Sequence, residues 1–357
     1  MNIKSFFRKD INNFKLWPLR LNFLESKEYK GNFNKIDMGE SVIETSPLSF
    51  GKTYSQLKLN YYPGVSQKLI NLIAKSNKVT SNKIFIGNGS LALIELLIRL
   101  FVDPKDEVAI SFPTYPLYEY YTQLARAKPV SFSRENYQKI NVQKLKEKIT
   151  SKTKLIFLDS PSNPFGYLIP KKTIREILDL EIPTVLDEAY VEFSSESSAD
   201  LINEYQNLII LRTFSKSFGL AGIRLGYTIA SQNIISGLVK IKNPEEVNTV
   251  AQYLAIKSLG KKNYLIKKFI EGRDYLIKNL RIPYLKVFPS NGGYVMIEVL
   301  PQSPLTVSQI VKYFYQNKIL IKQMDFAGLS GSFIRLNIVT INLSKKIISI
   351  IKKIYEI

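Results

Sequence analysis

The sequence predicts an α/β fold, a mostly parallel sheet covered by helices on both faces, with a smaller α+β domain attached. Three observations predict it. Between residues 83 and 211, short runs rich in Val, Ile, Leu and Phe alternate with segments of helical periodicity, the pattern of successive βαβ units. Runs such as Leu208-Ile209-Ile210-Leu211 are apolar throughout, as strands buried on both faces must be. Beyond about residue 260 the tight alternation gives way to longer helices and separate strand runs.

Taken in order, residues 83–87 read as a short strand, and Gly87-Asn88-Gly89-Ser90 as the turn after it. Residues 91–101 carry apolar side chains at helical spacing and stop before Asp103-Pro104, where proline cannot continue a helix. A strand at 107–111, a helix at 115–126 and extended runs at 130–132 and 154–159 follow. Then come a helix at 171–180 and strands at 184–186 and 208–211. In the second part, a helix at 264–280 precedes strands at 285–288 and 293–299. A helix near 307–316, strands at 318–322 and 333–339, and a terminal helix with an isoleucine face complete the chain. The expected division is a large domain over 51–260 and a small domain built from 1–50 and 261–357.

With 357 residues and 45% apolar content the chain can bury a substantial core, enough for two domains. It contains no histidine and no cysteine. That removes Ser-His-Asp and Cys-His nucleophile systems, His- or Cys-ligated zinc and disulfides. Proton transfer is left to Lys, Asp, Glu, Tyr or a cofactor, and no metal is expected. The amino-terminal segment lacks the apolar core of a signal peptide, and the most apolar helical stretch, 91–101, is short and carries Glu95 and Arg99. A cytoplasmic protein with no membrane partner is expected. The formal charge of +20 would suit anionic partners, but the lysines are scattered and form no dense basic tract. No nucleic-acid partner is expected.

The chemistry concentrates between Arg212 and Tyr227. Lys216 stands between Ser215 and Ser217, just past an apolar strand, with Arg224 a short way on. A lysine so placed can form a Schiff base with a carbonyl compound, and hydroxyls with an arginine suit a phosphate. Upstream, Val185-Leu186-Asp187-Glu188-Ala189-Tyr190 delivers a carboxylate and a phenol from a strand end. Pyridoxal 5′-phosphate (PLP), an aldehyde with a phosphate at one end and a ring nitrogen at the other, suits this combination. In Gly87-Asn88-Gly89-Ser90 the glycines permit positive φ, and the following helix presents unpaired amides to an anion. Pro113-Thr114-Tyr115-Pro116 and Ser160-Pro161-Ser162-Asn163-Pro164-Phe165-Gly166 each follow a strand.

On these ordered motifs, which span about Tyr61 to Arg335, the chain resembles the fold-type I PLP enzymes of aminotransferase class I/II. It is most similar to their histidinol-phosphate aminotransferase and threonine-phosphate decarboxylase branch. The resemblance implies a fold-type I PLP transferase. It implies that Gly89 and Ser90, with Thr213, Ser215 and Arg224, hold the cofactor phosphate, and that Tyr115 lies against the pyridine ring. Asn163 and Tyr190 would donate to the phenolic oxygen, and Asp187 would keep the ring nitrogen protonated. Lys216 would be the Schiff-base residue and the proton shuttle. Tyr62, in Tyr61-Tyr62-Pro63, would reach the cofactor phosphate of a neighbouring subunit, which implies a homodimer. Arg335 would grip a substrate α-carboxylate by a two-point fork, with Gly39 and Lys322 at the same pocket.

Departures from the family pattern fall at the substrate end. Leu91-Ala92 stands where the family carries Asp-Glu, and Met38-Gly39-Glu40-Ser41 where it carries an Asn-Glu-Asn-Pro-type motif. Around Ile321-Lys322-Gln323 the cation is Lys322, where histidinol-phosphate aminotransferases carry an arginine. PLP use is therefore implied and the substrate stays open. The activity implied is transfer of an amino group from an amino acid, commonly glutamate in this family, to a small phosphorylated or polar keto compound. One alternative is a PLP-dependent decarboxylase of a phosphorylated amino acid, which differs in the Cα bond held perpendicular to the ring. The other is a nucleic-acid-binding regulator on the same fold, for which the sequence offers no DNA-binding segment.

Overall fold

A computed structural model describes residues 34–37, 57, 59–194, 196–259, 262–324, 331–337 and 340–356. These belong to one compact unit, 34–357. Among the described residues the first elements are strand β1 (Asn34–Lys35) and helix α1 (Gln67–Asn77). Strand β2 (Ile84–Gly87) then turns into α2 (Gly89–Phe101), and β3 (Glu107–Phe112) into α3 (Leu117–Leu124). Next come β4 (Lys128–Glu135), β5 (Lys139–Ile140), α4 (Val142–Lys146), β6 (Thr153–Asp159), α5 (Lys171–Leu178), β7 (Thr184–Asp187), β8 (Leu208–Thr213) and β9 (Gly226–Ala230).

The eight strands β2 to β9 form one sheet in the order β2-β9-β8-β7-β6-β3-β4-β5. Strands β8, β7, β6, β3 and β4 run parallel, while β9 is antiparallel to both of its neighbours and β5 to β4. This is the α/β architecture the apolar strand runs predict. Alternate residues of the central strands fill two cores, as the period of two in a strand requires. Leu155, Phe157, Val185, Ile209 and Leu211 pack with Leu93 and Leu97 of α2. Ile156, Leu158, Leu186 and Ile210 pack on the other face with Ile174 and Ile177 of α5.

Beyond the sheet lie α6 (Gln232–Ile241), α7 (Thr249–Leu259) and α8 (Lys262–Asn279). Then follow β10 (Leu285–Val287), β11 (Tyr294–Val299), α9 (Val307–Gln316), β12 (Ile319–Leu320), β13 (Lys322–Met324), β14 (Ser332–Asn337) and α10 (Ile341–Ile354). Strands β10-β11-β14-β13 make an antiparallel sheet with its own core, including Ile297, Ile310, Phe314, Ile334 and Ile347. Its β13 edge lies beside a short parallel pair, β1 with β12.

Two expectations change in detail, and one strand is added. The helix expected at 115–126 starts at Leu117, with Pro116 as its N-cap, and ends before Arg126, whose φ of 61° leaves the helical region. The strand expected at 318–322 is two strands: Ile319–Leu320 pairs with β1, and Lys322–Met324 pairs with β14. Buried Ile321 is the pivot between them. Strand β9, which the sequence reading passes over, inserts antiparallel between β2 and β8.

Candidate active site

The carboxyl ends of the parallel strands gather the chemical groups, as open α/β sheets do. Asp187 is the last residue of β7 and 7% exposed. Tyr118 donates its hydroxyl to Asp187 Oδ2 at 2.7 Å, and the Ala189 amide donates to Oδ1 at 2.9 Å. Burial pushes the Asp187 carboxyl up to about 7, against the pull of those hydrogen bonds and of the Lys216 charge. Among the described residues Asp187 forms no ion pair, so a cationic ring nitrogen would supply the charge this buried carboxylate lacks.

Tyr118 is a residue that sequence reasoning missed. Its ring stacks on Phe157 at 4.7 Å and stands edge-on to Tyr115 at 5.7 Å. The available signal was its place at the start of the helix that follows Tyr115, close to the same strand ends. Tyr115 itself is half-buried beside the same strand ends.

Lys216 follows β8, half-buried, with Nζ 5.4 Å from the centre of the Tyr190 ring. Tyr190 is buried and meets the Tyr294 ring edge-on at 4.7 Å. The structure thus brings Lys216, Tyr190 and Asp187 into one place.

A cradle lies at the start of α2. Asn88 makes no capping hydrogen bond, which leaves the first-turn amides of α2 to an anion. Gly89 has φ of 83°, and a Cβ there would stand 2.7 Å from an Arg224 guanidinium nitrogen. A Cβ on Gly226 would stand 2.6 Å from the Ser90 amide nitrogen and 2.9 Å from the Gly89 carbonyl carbon. Arg224 Nη1 donates to Ser215 Oγ at 3.4 Å and to the Ala221 carbonyl at 2.9 Å. The Ser215 amide in turn donates to Thr213 Oγ1 at 3.1 Å. Amides, two hydroxyls and a guanidinium converging where side chains are excluded fit a phosphate.

Arg335 on β14 is 5% exposed. It donates from Nη1 to Asn163 Oδ1 at 2.8 Å and from Nη2 to the Asp37 carbonyl at 3.4 Å. Its guanidinium lies 5.4 Å over the Tyr294 ring, and its buried Nε has no partner among the described residues. With Oδ1 committed to Arg335, the Asn163 side chain presents its NH2 as the remaining donor. Lys322 is the register partner of Arg335 across β13 and β14, so both side chains rise from one sheet face. Tyr62 projects into solvent, 90% exposed. Gly39 lies outside the described residues.

Behind the loop 160–166, Asp159 pairs with Arg134 in full burial, and burial pushes the Asp159 carboxyl upward against the pull of that guanidinium. The Tyr294 hydroxyl donates to the Ser162 carbonyl from the other side. Neither contact has a local signal in the sequence.

The sheet order and this set of groups define a fold-type I PLP enzyme. A sequence profile described as aminotransferase class I and II matches residues 24–351, and the chain belongs to that family. It is a PLP-dependent transaminase. Among its relatives, the histidinol-phosphate aminotransferase of Dehalococcoides mccartyi is 34% identical over 316 residues, 87% of this chain and 88% of the relative. The crystal structure of the histidinol-phosphate aminotransferase from Clostridium acetobutylicum superimposes with a TM-score of 0.77 at 26% identity, over 87% of this chain and 96% of that one. The Sinorhizobium meliloti histidinol-phosphate aminotransferase, crystallised with pyridoxal 5′-phosphate, shares the fold with a TM-score of 0.81 at 21% identity, over 99% and 98% of the two chains. No helix among the described residues is long and apolar enough to cross a membrane, and no acidic cluster among them could hold a metal ion.

Proposed function

We propose that this transaminase exchanges an amino group between glutamate and a small phosphorylated keto compound, with histidinol phosphate as the phosphorylated amine. The observation that carries the reading is the pair Arg335 and Lys322 on one sheet face, with a buried guanidinium nitrogen that has no partner among the described residues. A guanidinium fork takes a carboxylate or a phosphate by two parallel bonds, and a neighbouring ammonium adds a point charge. Glutamate offers the carboxylate and histidinol phosphate the phosphate, so the same cations serve both halves of the exchange. The 34% identical relative named for histidinol phosphate supports that choice. A large domain of 51–260, a small domain of 1–50 and 261–357, and a cytoplasmic location belong to the same reading.

When bound, PLP supplies an electron sink for the pair left at the substrate Cα. The residues of the chain do the rest. Gly89, Ser90, Thr213, Ser215 and Arg224 would anchor the phosphate, and Tyr115 would lie against the ring. Asp187 would hold the ring nitrogen charged, and Asn163 and Tyr190 would donate to the phenolic oxygen. Lys216 Nζ would hold the cofactor aldehyde and, when free of it, would carry the proton taken from the substrate Cα. Arg335 fixes the substrate so that this proton faces Lys216, which is where orientation contributes to rate.

Tyr62 acts across a homodimer. Leu59, Tyr61, Tyr62 and Val65 are all exposed on one segment, and Gln252 pins that segment by bonds with the Ser66 amide at 2.7 Å and the Gly64 carbonyl at 2.9 Å. A pinned segment with apolar side chains in solvent suits burial against a second copy.

The test is rapid mixing of the PLP form with glutamate, then with phosphorylated keto acceptors and histidinol phosphate. Conversion to the pyridoxamine form by glutamate and by histidinol phosphate is expected. Carbon dioxide release from a phospho-amino acid, without that conversion, contradicts the reading.

A further inference from the structure

We propose that Asp159, balanced by Arg134, is a positioning residue for the reaction: its carboxylate fixes the Asn163 backbone and thereby aims Asn163 at cofactor and substrate together. The proposal rests on the aminotransferase reading above. Asp159 ends β6 and is 3% exposed; Arg134 on β4 is 4% exposed. Strand β3 runs between β4 and β6, and the guanidinium crosses it. On the way Arg134 Nη2 donates to Ser111 Oγ at 3.0 Å, then to Asp159 Oδ1 and to the Asp159 carbonyl at 3.3 Å.

Stability alone does not account for this arrangement. A buried ion pair forfeits the hydration of both charges, and apolar side chains of similar volume often serve as well or better. What the pair provides is a fixed acceptor. With Oδ1 held by Arg134, Oδ2 accepts the Asn163 amide at 2.7 Å. Three other amides of this loop, those of Ser160, Ser162 and Gly166, donate to the backbone carbonyls of Asp187, Tyr167 and Ser162. The Asn163 amide goes to a charge instead. From Asn163 the line of bonds continues through Oδ1 to Arg335 Nη1 at 2.8 Å. A shift of the Asn163 backbone therefore moves the donor to the cofactor and the orienting partner of Arg335 at once. A misplacement of about 1 Å in such a group can lower the rate about a hundredfold.

Two double variants isolate the acceptor. Arg134→Met with Asp159→Asn leaves an uncharged pocket and keeps an oxygen for the Asn163 amide. Arg134→Met with Asp159→Leu leaves the same pocket filled and uncharged but without that oxygen. Each is loaded with PLP; the pH midpoint of the cofactor's visible absorbance and the kcat and KM for glutamate are then read. The Leu double variant should raise the midpoint by about one unit, because the phenolic oxygen loses a well-aimed donor. Its kcat/KM should fall about ten- to a hundredfold. The Asn double variant should stay near wild type in both, even where its thermal midpoint matches that of the Leu variant. Wild-type values in the Leu double variant, or equal impairment in the two, overturn the proposal. A wild-type protein with no visible PLP band contradicts the aminotransferase reading itself, a separate outcome.

Discussion

Asp187 is a carboxylate buried with two hydrogen bonds and no ion pair among the described residues, and this has a consequence for the protein without cofactor. Its carboxyl sits at about 7 in the fold against an ordinary value of 3.8. The folded state therefore binds this proton more tightly than the unfolded chain does. The contribution of Asp187 to stability is fully present below about pH 4 and is lost as pH rises toward 7, a change of roughly 4 kcal/mol. Asp187→Asn should remove that loss. In the cofactor-free protein the variant should gain stability over wild type between pH 4 and pH 8, while losing turnover because the ring nitrogen has no counter-ion. Urea unfolding at several pH values checks it; parallel profiles for the two proteins contradict it. At this scale the sequence was partly legible. Asp187, Lys216 and Arg224 stand in contiguous motifs, whereas Tyr118 acquires its role from a partner 69 positions away. Arg134 and Asp159 meet across 25 positions with no local pattern to mark them.

Among the elements, the strands whose apolar runs are continuous were readable because their period is local: β6, β7 and β8 fall where alternation with helices places them. Strand β9 was not, because it begins inside the Arg224-Leu225-Gly226-Tyr227 motif and its direction reverses that of β8. Its position is nonetheless what closes the proposed phosphate cradle. Gly226 pairs with Thr213 on one side and Gly87 on the other, with the Ser90 amide above it. Gly226→Ala forces a methyl group against three backbone atoms within 3 Å. The variant should lose about 1–3 kcal/mol of stability from overpacking and bind PLP at least about tenfold more weakly. Fluorescence titration of the cofactor-free protein with PLP measures this. Wild-type affinity in Gly226→Ala would show that the turn is not where the phosphate sits.

For the whole molecule, the +20 charge found no concentrated site in the sequence, and the exposed apolar segment at 59–65 is where the proposed dimer would close. A dimer with Tyr62 crossing to its partner should give a mass near twice the 40.9 kDa of the chain by light scattering. Tyr62→Ala should lower PLP affinity by about tenfold, the worth of a hydrogen bond to a charged group, without changing that mass. A fully active monomer contradicts the shared site.

The proposed chemistry depends most on Lys216. Borohydride reduction of the yellow PLP-loaded protein, followed by peptide mapping, tests it directly. The account predicts a single phosphopyridoxyl adduct, on Lys216, and no trapped adduct in Lys216→Ala. An adduct on another lysine, with Lys216 unmodified, would contradict it.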